Sequence, residues 1–197
     1  DLLGNAAMTD AERIKLIDWA RGKNVDNELG KGTTVMRPSV HGDVVHSRPV
    51  AINFGGSDSL ASSRVVVFYG GNDGMLRAIE GNRAGDGGKE LWAFMPPEFY
   101  PYINRIYKNN VRVEYKDMDP IVDPDTGIAE TLEPKSYGVD GAISAYRSNS
   151  DTWIFATMRR GGRSVYAFDV SDPADPALKW KVGCPSNFQT DGSVSDT

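Results

Sequence analysis

The sequence predicts an all-β protein, a partial β-propeller of about two four-stranded antiparallel blades with a short N-terminal helix. The first observation is an internal repeat, in which Ala78 and Trp92 recur as Ala167 and Trp180 at nearly the same spacing. Each copy consists of an apolar run, a glycine-rich turn, a second short run, a polar loop and the tryptophan. The second observation is the many short β-branched and aromatic runs separated by turn residues, which are typical of propeller blades.

The N-terminal helix is predicted between Thr9 and Gly22. Thr9 and Glu12 have the spacing of a capping box, which satisfies two backbone amides at the start of a helix. Gly22 is suited to end the helix. The helix is expected to pack on the main domain, although a docking helix is the alternative. The apolar side chains expected on its packed face are Ile14, Ile17, Trp19 and Ala20.

Strands are predicted from Pro38 onward, so residues 1–37 are expected to be a helix and linker and residues 38–197 the blades. The strands of the first blade are expected at residues 44–54, 64–69, 75–80 and 90–95. The second blade is expected at residues 136–181. The segment 97–135 between them is longer than an ordinary loop and is predicted to be an inter-blade insertion. A propeller needs about four to eight blades, so two cannot close a ring.

Composition excludes several classes of protein. A formal net charge of −5 disfavours general nucleic-acid binding, and no run approaches the about 18 apolar residues of a membrane-spanning helix. Cys184 is the single cysteine, so it is either a free thiol or the site of an intermolecular disulfide. Because the chain opens at Asp1 and closes in a polar loop, we expect a piece of a longer precursor.

Five motifs, in order along the chain, resemble those of PilY1-type proteins, which are associated with type IV pili. The motifs are Gly42–Pro49 (GDVVHSRP), Gly71–Ala78 (GNDGMLRA), Glu90–Pro96 (ELWAFMP), Tyr137–Gly141 (YGVDG) and Gly161–Pro173 (GGRSVYAFDVSDP). The resemblance implies a modified seven-bladed propeller, of which this chain would supply the lead-in helix and the first blades.

The resemblance also implies a non-enzymatic function in pilus assembly, pilus retraction and surface adhesion. The implied partners are minor pilins of the pilus tip complex, a host or abiotic surface, and a second chain if that chain supplies the remaining blades. The implied location is extracellular, at the pilus tip or outer-membrane surface, after export through the periplasm. The family's Ca²⁺ loop lies in a later blade, and its Arg-Gly-Asp tripeptide has no match at Arg83–Asp86, so neither function is transferred to these residues.

Asp117, Asp119, Asp123 and Asp125 are the local candidates for a metal site. Alternating carboxylates in a loop can supply the oxygen ligands that Ca²⁺ prefers. The segment does not match an EF-hand, because Ile121 stands at the fifth position counted from Asp117. It is equally suited to a plain acidic turn, so both interpretations stay open.

The two histidines do not indicate a shared metal site, because His41 and His46 would point to opposite faces of an extended strand. His46 is predicted to be a structural hydrogen-bonding residue with Arg48 as its partner. Ser47 lacks the nucleophile elbow of a serine hydrolase. Asp140 is interpreted as a turn or blade-linking residue.

A quinoprotein-like propeller is the alternative, because residues 72–78 and 88–92 resemble its repeats. That class includes dehydrogenases that bind pyrroloquinoline quinone with calcium, as well as non-enzymatic outer-membrane assembly scaffolds. Many of the dehydrogenases need a vicinal disulfide, which a single cysteine excludes, and the HSRP and VDG motifs are not theirs. We therefore expect no enzyme.

Overall fold

The structure is a computed structural model that describes residues 3, 7–55, 63–82, 85–114 and 119–183 of the chain. The helices are α1 (Asp10–Ala20) and α2 (Ile103–Lys108), and the strands are β1 (Val50–Asn53), β2 (Val65–Gly70), β3 (Leu76–Glu80), β4 (Glu90–Phe94), β5 (Arg112–Glu114), β6 (Leu132–Pro134), β7 (Ile143–Arg147), β8 (Thr152–Thr157), β9 (Val165–Asp169) and β10 (Ala177–Val182).

The chain forms two compact units, and each combines two separate stretches of sequence. The helical unit comprises Asp1–Gly42 and Pro96–Ser136, and the sheet unit comprises Asp43–Met95 and Tyr137–Thr197. The segment predicted as an insertion thus shares a unit with the N-terminal helix. The division into domains 1–37 and 38–197 stays a prediction.

Strands β1 to β4 form one four-stranded antiparallel sheet, and β7 to β10 form a second, with consecutive strands as neighbours in each. The predicted antiparallel sheets are therefore confirmed. Strand β1 was expected from residue 44 but begins at Val50, because the chain bends at Val45 and His46. Among the described residues the sheets close no ring, and the number of blades stays a prediction.

The internal repeat is visible in the register of the strands. Ala78 pairs with Trp92 in the first sheet, and Ala167 pairs with Trp180 in the second. In both sheets the register shifts next to this pair. The repeated residues of the sequence therefore occupy equivalent positions in two copies of the same sheet.

The two sheets pack face to face through apolar and aromatic side chains. The ring of Phe94 lies 5.4 Å from that of Tyr166 and 5.0 Å from that of Phe168, in edge-to-face contacts. Phe68 of the first sheet and Ile154 of the second are completely buried. Aromatic pairs of this geometry stabilise a core by about 0.5–1.5 kcal/mol beyond the area that they bury.

The first strands of the two sheets lie side by side. The backbone amide of Ile143 in β7 donates to the carbonyl of Arg48, just before β1, at 3.3 Å. The guanidinium of Arg147 donates to the carbonyl of Asn53 at the end of β1. Hydrogen bonds therefore join the sheets along their first strands.

Helix α1 begins with the predicted capping box: the amide of Glu12 donates to the hydroxyl of Thr9, and the Glu12 carboxylate accepts from the amide of Thr9. The expected packed face was wrong for Ile14 and Ile17, which are exposed, whereas Trp19 and Ala20 are half-buried and Leu16 is the buried residue of the helix. The reason is that α2, with which it pairs, has six residues. So short a partner covers only a narrow stripe of α1.

The rest of the helical unit is held by aromatic and ionic contacts. The guanidinium of Arg37 lies 4.2 Å from the centre of the Trp19 ring, and Tyr107 meets that ring edge-on at 5.4 Å. Arg105 forms an ion pair with Glu133 at 2.9 Å, which joins α2 to the parallel pair β5–β6. No helix in the described part of the chain is long and apolar enough to cross a membrane.

Candidate functional site at the junction of the two sheets

Four of the motifs singled out in the sequence meet within the sheet unit, where the second sheet adjoins the first. We call this region the sheet junction and define it by four segments. They are His46–Ser47, Gly70–Asn72, Gly138–Asp140 and Arg159–Gly161. The junction is built from turns and strand ends, so its side chains are positioned by the ends of β2, β3 and β8.

Asp140 is the central charged group of the sheet junction, and its side chain is only 3% exposed. One carboxylate oxygen lies 2.8 Å from Nδ1 of His46, and the other lies 3.4 Å from the guanidinium of Arg159. A buried carboxylate needs such partners, because an unpaired charge in the interior is strongly unfavourable. Asp140 therefore links the segment before β1 to the segments that flank β7 and β8. Its interpretation as a turn or blade-linking residue stays a prediction.

The partner of His46 differs from the predicted one. The Nδ1 atom faces Asp140 and not Arg48, because the bend at Val45 and His46 removes the extended geometry on which that expectation rested. The two partners are 94 residues apart, so local spacing could not identify the pair. The sequence signal that could have suggested the pair is that each residue lies in one of the five motifs, His46 in Gly42–Pro49 and Asp140 in Tyr137–Gly141.

Ser47 has a structural role in the same motif. Its side chain is buried, and its hydroxyl oxygen accepts a hydrogen bond from the backbone amide of Gly70 at 2.7 Å. A serine nucleophile would instead need its hydroxyl within hydrogen-bond reach of the histidine. No hydrogen bond joins Ser47 to His46 among the described residues, so the nearby Asp140–His46 pair does not amount to a hydrolase triad.

The glycines of the junction permit a close approach of backbones. Gly138 has a φ of +61°, and a Cβ there would overlap the carbonyl of Gly71. A Cβ on Gly161 would in turn overlap the backbone of Gly138. The amide of Val139 donates to the carbonyl of Gly71 at 3.0 Å. The Y-G-V-D-G segment therefore runs in direct backbone contact with the two turns.

The turn between β2 and β3 is fixed by a charged network around Arg77. Its side chain is 2% exposed and lies 2.6 Å from Asp73 and 3.2 Å from Glu90. On the other side of the turn, Asn72 accepts from the amide of Asp43 at 2.8 Å. The side chains of Asn72, Asp73 and Arg77 thus hold backbone and one another around this turn.

Of the described metal candidates, Asp123 and Asp125 belong to one turn. One carboxylate oxygen of Asp123 accepts from the amide of Asp125 at 2.8 Å and from that of Thr126, and these hydrogen bonds lower the pKa of Asp123. Asp119 lies in a preceding loop. The described residues contain no cluster of three or more acidic, histidine or cysteine side chains suited to a metal ion. Asp117 and Cys184 lie outside the described residues, so the metal and disulfide predictions remain untested.

The fold and site together define a protein of consecutive antiparallel four-stranded sheets, whose motif residues join one sheet to the next. No family model matches the chain. A PilY1 homolog from Xylella fastidiosa, a type IV pilus biogenesis factor, is 29% identical over 90% of this chain and 14% of that protein. A Pseudomonas aeruginosa PilY1 is 25% identical over 87% of this chain and 14% of that protein.

The chain is homologous to PilY1 proteins, which confirms the resemblance found in the sequence. It spans about one seventh of the length of these curated relatives. The crystal structure of the Pseudomonas aeruginosa PilY1 C-terminal domain is also similar, with 23% identity over 60% of this chain and 19% of that chain and a TM-score of 0.31.

Proposed function

We propose that this chain is a non-enzymatic structural part of a type IV pilus-associated protein, exported to the pilus tip or outer-membrane surface. The observation that carries the proposal is the use of the motif residues. His46, Ser47 and Asp140 at the sheet junction, and Arg77 beside the adjoining turn, are each bonded to backbone or to another side chain. The homologues are named pilus biogenesis factors, which supports the association with pili.

The structural part that we propose is a propeller scaffold. Two features support it: the two sheets repeat one another in register, and they are joined along their first strands. Sheets that repeat in this way around a common set of first strands are the elements of a propeller. A family-type Ca²⁺ site would then belong to a blade outside these residues.

We assign partner recognition to the segment 97–135. Its apolar side chains Val122 and Ile128 are exposed, and it separates the two sheets in sequence without taking part in either. Exposed segments placed on a rigid scaffold are common sites of recognition. The partners proposed for it are minor pilins during assembly and retraction, and a host or abiotic surface during adhesion.

The association with pili is tested by deleting the coding region in the source organism and counting surface pili by electron microscopy. We expect pilus number to fall severalfold and to recover when the full-length gene is restored. An unchanged number of pili would contradict the proposal.

The recognition segment is tested separately with purified protein and a purified complex of minor pilins in a biosensor assay. The double variant Val122→Ser/Ile128→Ser should weaken binding at least about tenfold, since removal of interface anchors typically costs more than 1 kcal/mol each. The matched control is Ile14→Ser, because Ile14 is an equally accessible isoleucine of the helical unit. Equal binding by both variants would refute the role of the segment.

A further inference from the structure

Helix α1 carries two isoleucines that take no part in the core of the helical unit. Ile14 is 62% exposed and Ile17 is 43% exposed, whereas Leu16, on another side of the helix, is buried. At 3.6 residues per turn, residues three apart lie next to each other on the surface of a helix. The two isoleucines therefore form one apolar strip on the exposed side of α1.

Four charged residues flank this strip in an ordered pattern. Asp10 and Arg21 lie beyond its two ends, and Arg13 and Asp18 lie directly before and after it. Turning the helix end over end about the middle of the strip exchanges Asp10 with Arg21 and Arg13 with Asp18, so every charge takes the place of its opposite. We call the surface that consists of Asp10, Arg13, Ile14, Ile17, Asp18 and Arg21 the α1 outer face.

The charges of the α1 outer face are accessible to a partner. The side chain of Asp10 is 91% exposed, and its ion pair with Arg13 at 2.6 Å is a surface pair of the kind that contributes little to stability. Arg21 is exposed, and no ion pair engages it within the part of the chain that the structure describes. The face can therefore form ion pairs with a partner without losing a strong internal contact.

We propose that the α1 outer face is a dimerisation surface, on which α1 of a second copy of this chain packs antiparallel. Charge complementarity identifies this occupant, because Asp10 then faces the partner's Arg21 and Arg13 faces the partner's Asp18. Ile14 of each copy packs against the partner's Ile17. Each of these pairs occurs twice, so the contact closes as a two-fold symmetric dimer.

A parallel arrangement of the two helices does not satisfy the same residues. Each position would face its own copy, so that Asp10 would meet Asp10 and Arg21 would meet Arg21. Like charges placed opposite each other at an interface are strongly unfavourable. The order of the charges along α1 therefore favours the antiparallel arrangement.

A groove beside the apolar strip provides space for side chains of the second copy. It lies between α1 and residues 23–34, has a volume of about 550 Å³ and is lined in part by Ile14, Val25 and Thr33. The contact is small, because α1 has 11 residues and is therefore about 16 Å long. A helix of this length buries less than the roughly 1,200–2,000 Å² of a stable interface, so we expect a weak and reversible dimer.

The proposal is tested by sedimentation velocity on the full 197-residue chain and on the charge-reversal variants Asp10→Arg and Arg21→Asp. The unmodified chain should dimerise as its concentration rises to about 1 mM. Each variant alone should stay monomeric, because its homodimer would place like charges opposite each other twice. An equimolar mixture of the two variants should dimerise again, because positions 10 and 21 then carry opposite charges at both contacts.

A second pair of variants tests the apolar strip. Ile17→Ser should weaken dimerisation at least about tenfold, as removal of an interface anchor typically does. The matched control is Val122→Ser/Ile128→Ser, which replaces exposed apolar side chains of the same unit outside the α1 outer face. This control should dimerise like the unmodified chain. Circular dichroism establishes that each variant is folded.

Several outcomes would overturn the proposal. The first is a chain that stays monomeric over the whole concentration range, and the second is a charge-reversal variant that dimerises alone as well as the unmodified chain. The third is a mixture of two folded variants that does not dimerise. If a charge-reversal variant does not fold, equal dimerisation by Ile17→Ser and the control would overturn it.

The minor-pilin assay separates this surface from the proposed recognition segment. Ile14→Ser should leave minor-pilin binding unchanged while it weakens dimerisation. Loss of minor-pilin binding in Ile14→Ser would assign the α1 outer face to that partner and would overturn self-association. A monomeric chain, in contrast, would leave the pilus count that tests the proposed function unaffected, so the two proposals can fail separately.

Discussion

Removal of the Asp140 carboxylate is the most direct test of the sheet junction. Asp140→Ala eliminates the 2.8 Å bond to His46 and the 3.4 Å contact with Arg159. A hydrogen bond to a charged group contributes about 1.5–3 kcal/mol. The Arg159 contact adds at most about 0.5 kcal/mol, because the Arg159 side chain is 47% exposed and solvent screens such pairs.

The two contacts together give an expected loss in the free energy of unfolding of about 2–3 kcal/mol. The loss is not larger, because His46 is 36% exposed and can be rehydrated when its partner is removed. For a protein of this length, each kcal/mol lowers the melting temperature by about 2–4 °C, which gives a decrease of about 4–12 °C. The measurement is urea denaturation followed by tryptophan fluorescence, with calorimetry as a second probe. Asp175→Ala is the matched control, because Asp175 is exposed and should change stability by less than about 0.5 kcal/mol.

A double-mutant cycle with His46→Ala isolates the interaction itself. We expect a coupling energy of about 1–2 kcal/mol between His46 and Asp140, since residues in direct contact are coupled by about 0.5–3 kcal/mol. A coupling below about 0.3 kcal/mol would refute the link, even if Asp140→Ala were destabilising. Equal losses for Asp140→Ala and Asp175→Ala would refute the whole account of the junction.

Two further predictions concern single positions of the sheet unit. In urea denaturation, Gly138→Ala should destabilise the protein by at least about 2 kcal/mol more than Gly85→Ala. Both glycines have a positive φ, but only a Cβ on Gly138 would overlap other backbone. Equal effects of the two substitutions would show that the close approach of the backbones is unimportant. The hydrogen bond from Ser171 holds the pKa of Asp169 below its ordinary value, so Asp169 contributes stability above its unfolded-state pKa that is lost as pH falls through its folded-state pKa. Ser171→Ala should raise the pKa of Asp169 in a carboxyl NMR titration, and an unchanged titration would contradict this cause.

The sequence was sufficient to predict the two sheets because the relevant signals are local. Runs of β-branched and aromatic residues between glycine-rich turns specify antiparallel strands, and the repeat identified equivalent positions such as Trp92 and Trp180. The first strand was placed too early, because Val44 and Val45 are β-branched residues of the kind that strands favour. Only the bonds of Asp43 and Ser47 to the neighbouring turn show that this segment is bent away from the sheet.

The residues of the site could be predicted more readily than the contacts between them. The motifs directed attention to His46 and Asp140, but a sequence does not show which residue of one motif meets which residue of another. The burial of individual side chains could not be predicted either. The sequence suggests that Arg77 is an exposed strand residue, but its ion pairs allow it to be almost fully buried. The exposure of Ile14 and Ile17 depends on the length of a partner helix more than 80 residues away in sequence.

The sheet unit is held together by apolar packing and by directional hydrogen bonds. The hydrogen bonds explain why its motifs contain polar residues. Apolar packing between Phe94, Tyr166 and Phe168 favours contact between the two faces but tolerates sliding, since hydrophobic contact is non-directional. Directional bonds from Ser47 and Asp140 to defined atoms of the neighbouring segments permit only one relative position. These bonds therefore fix the position of the second sheet relative to the first within the sheet unit.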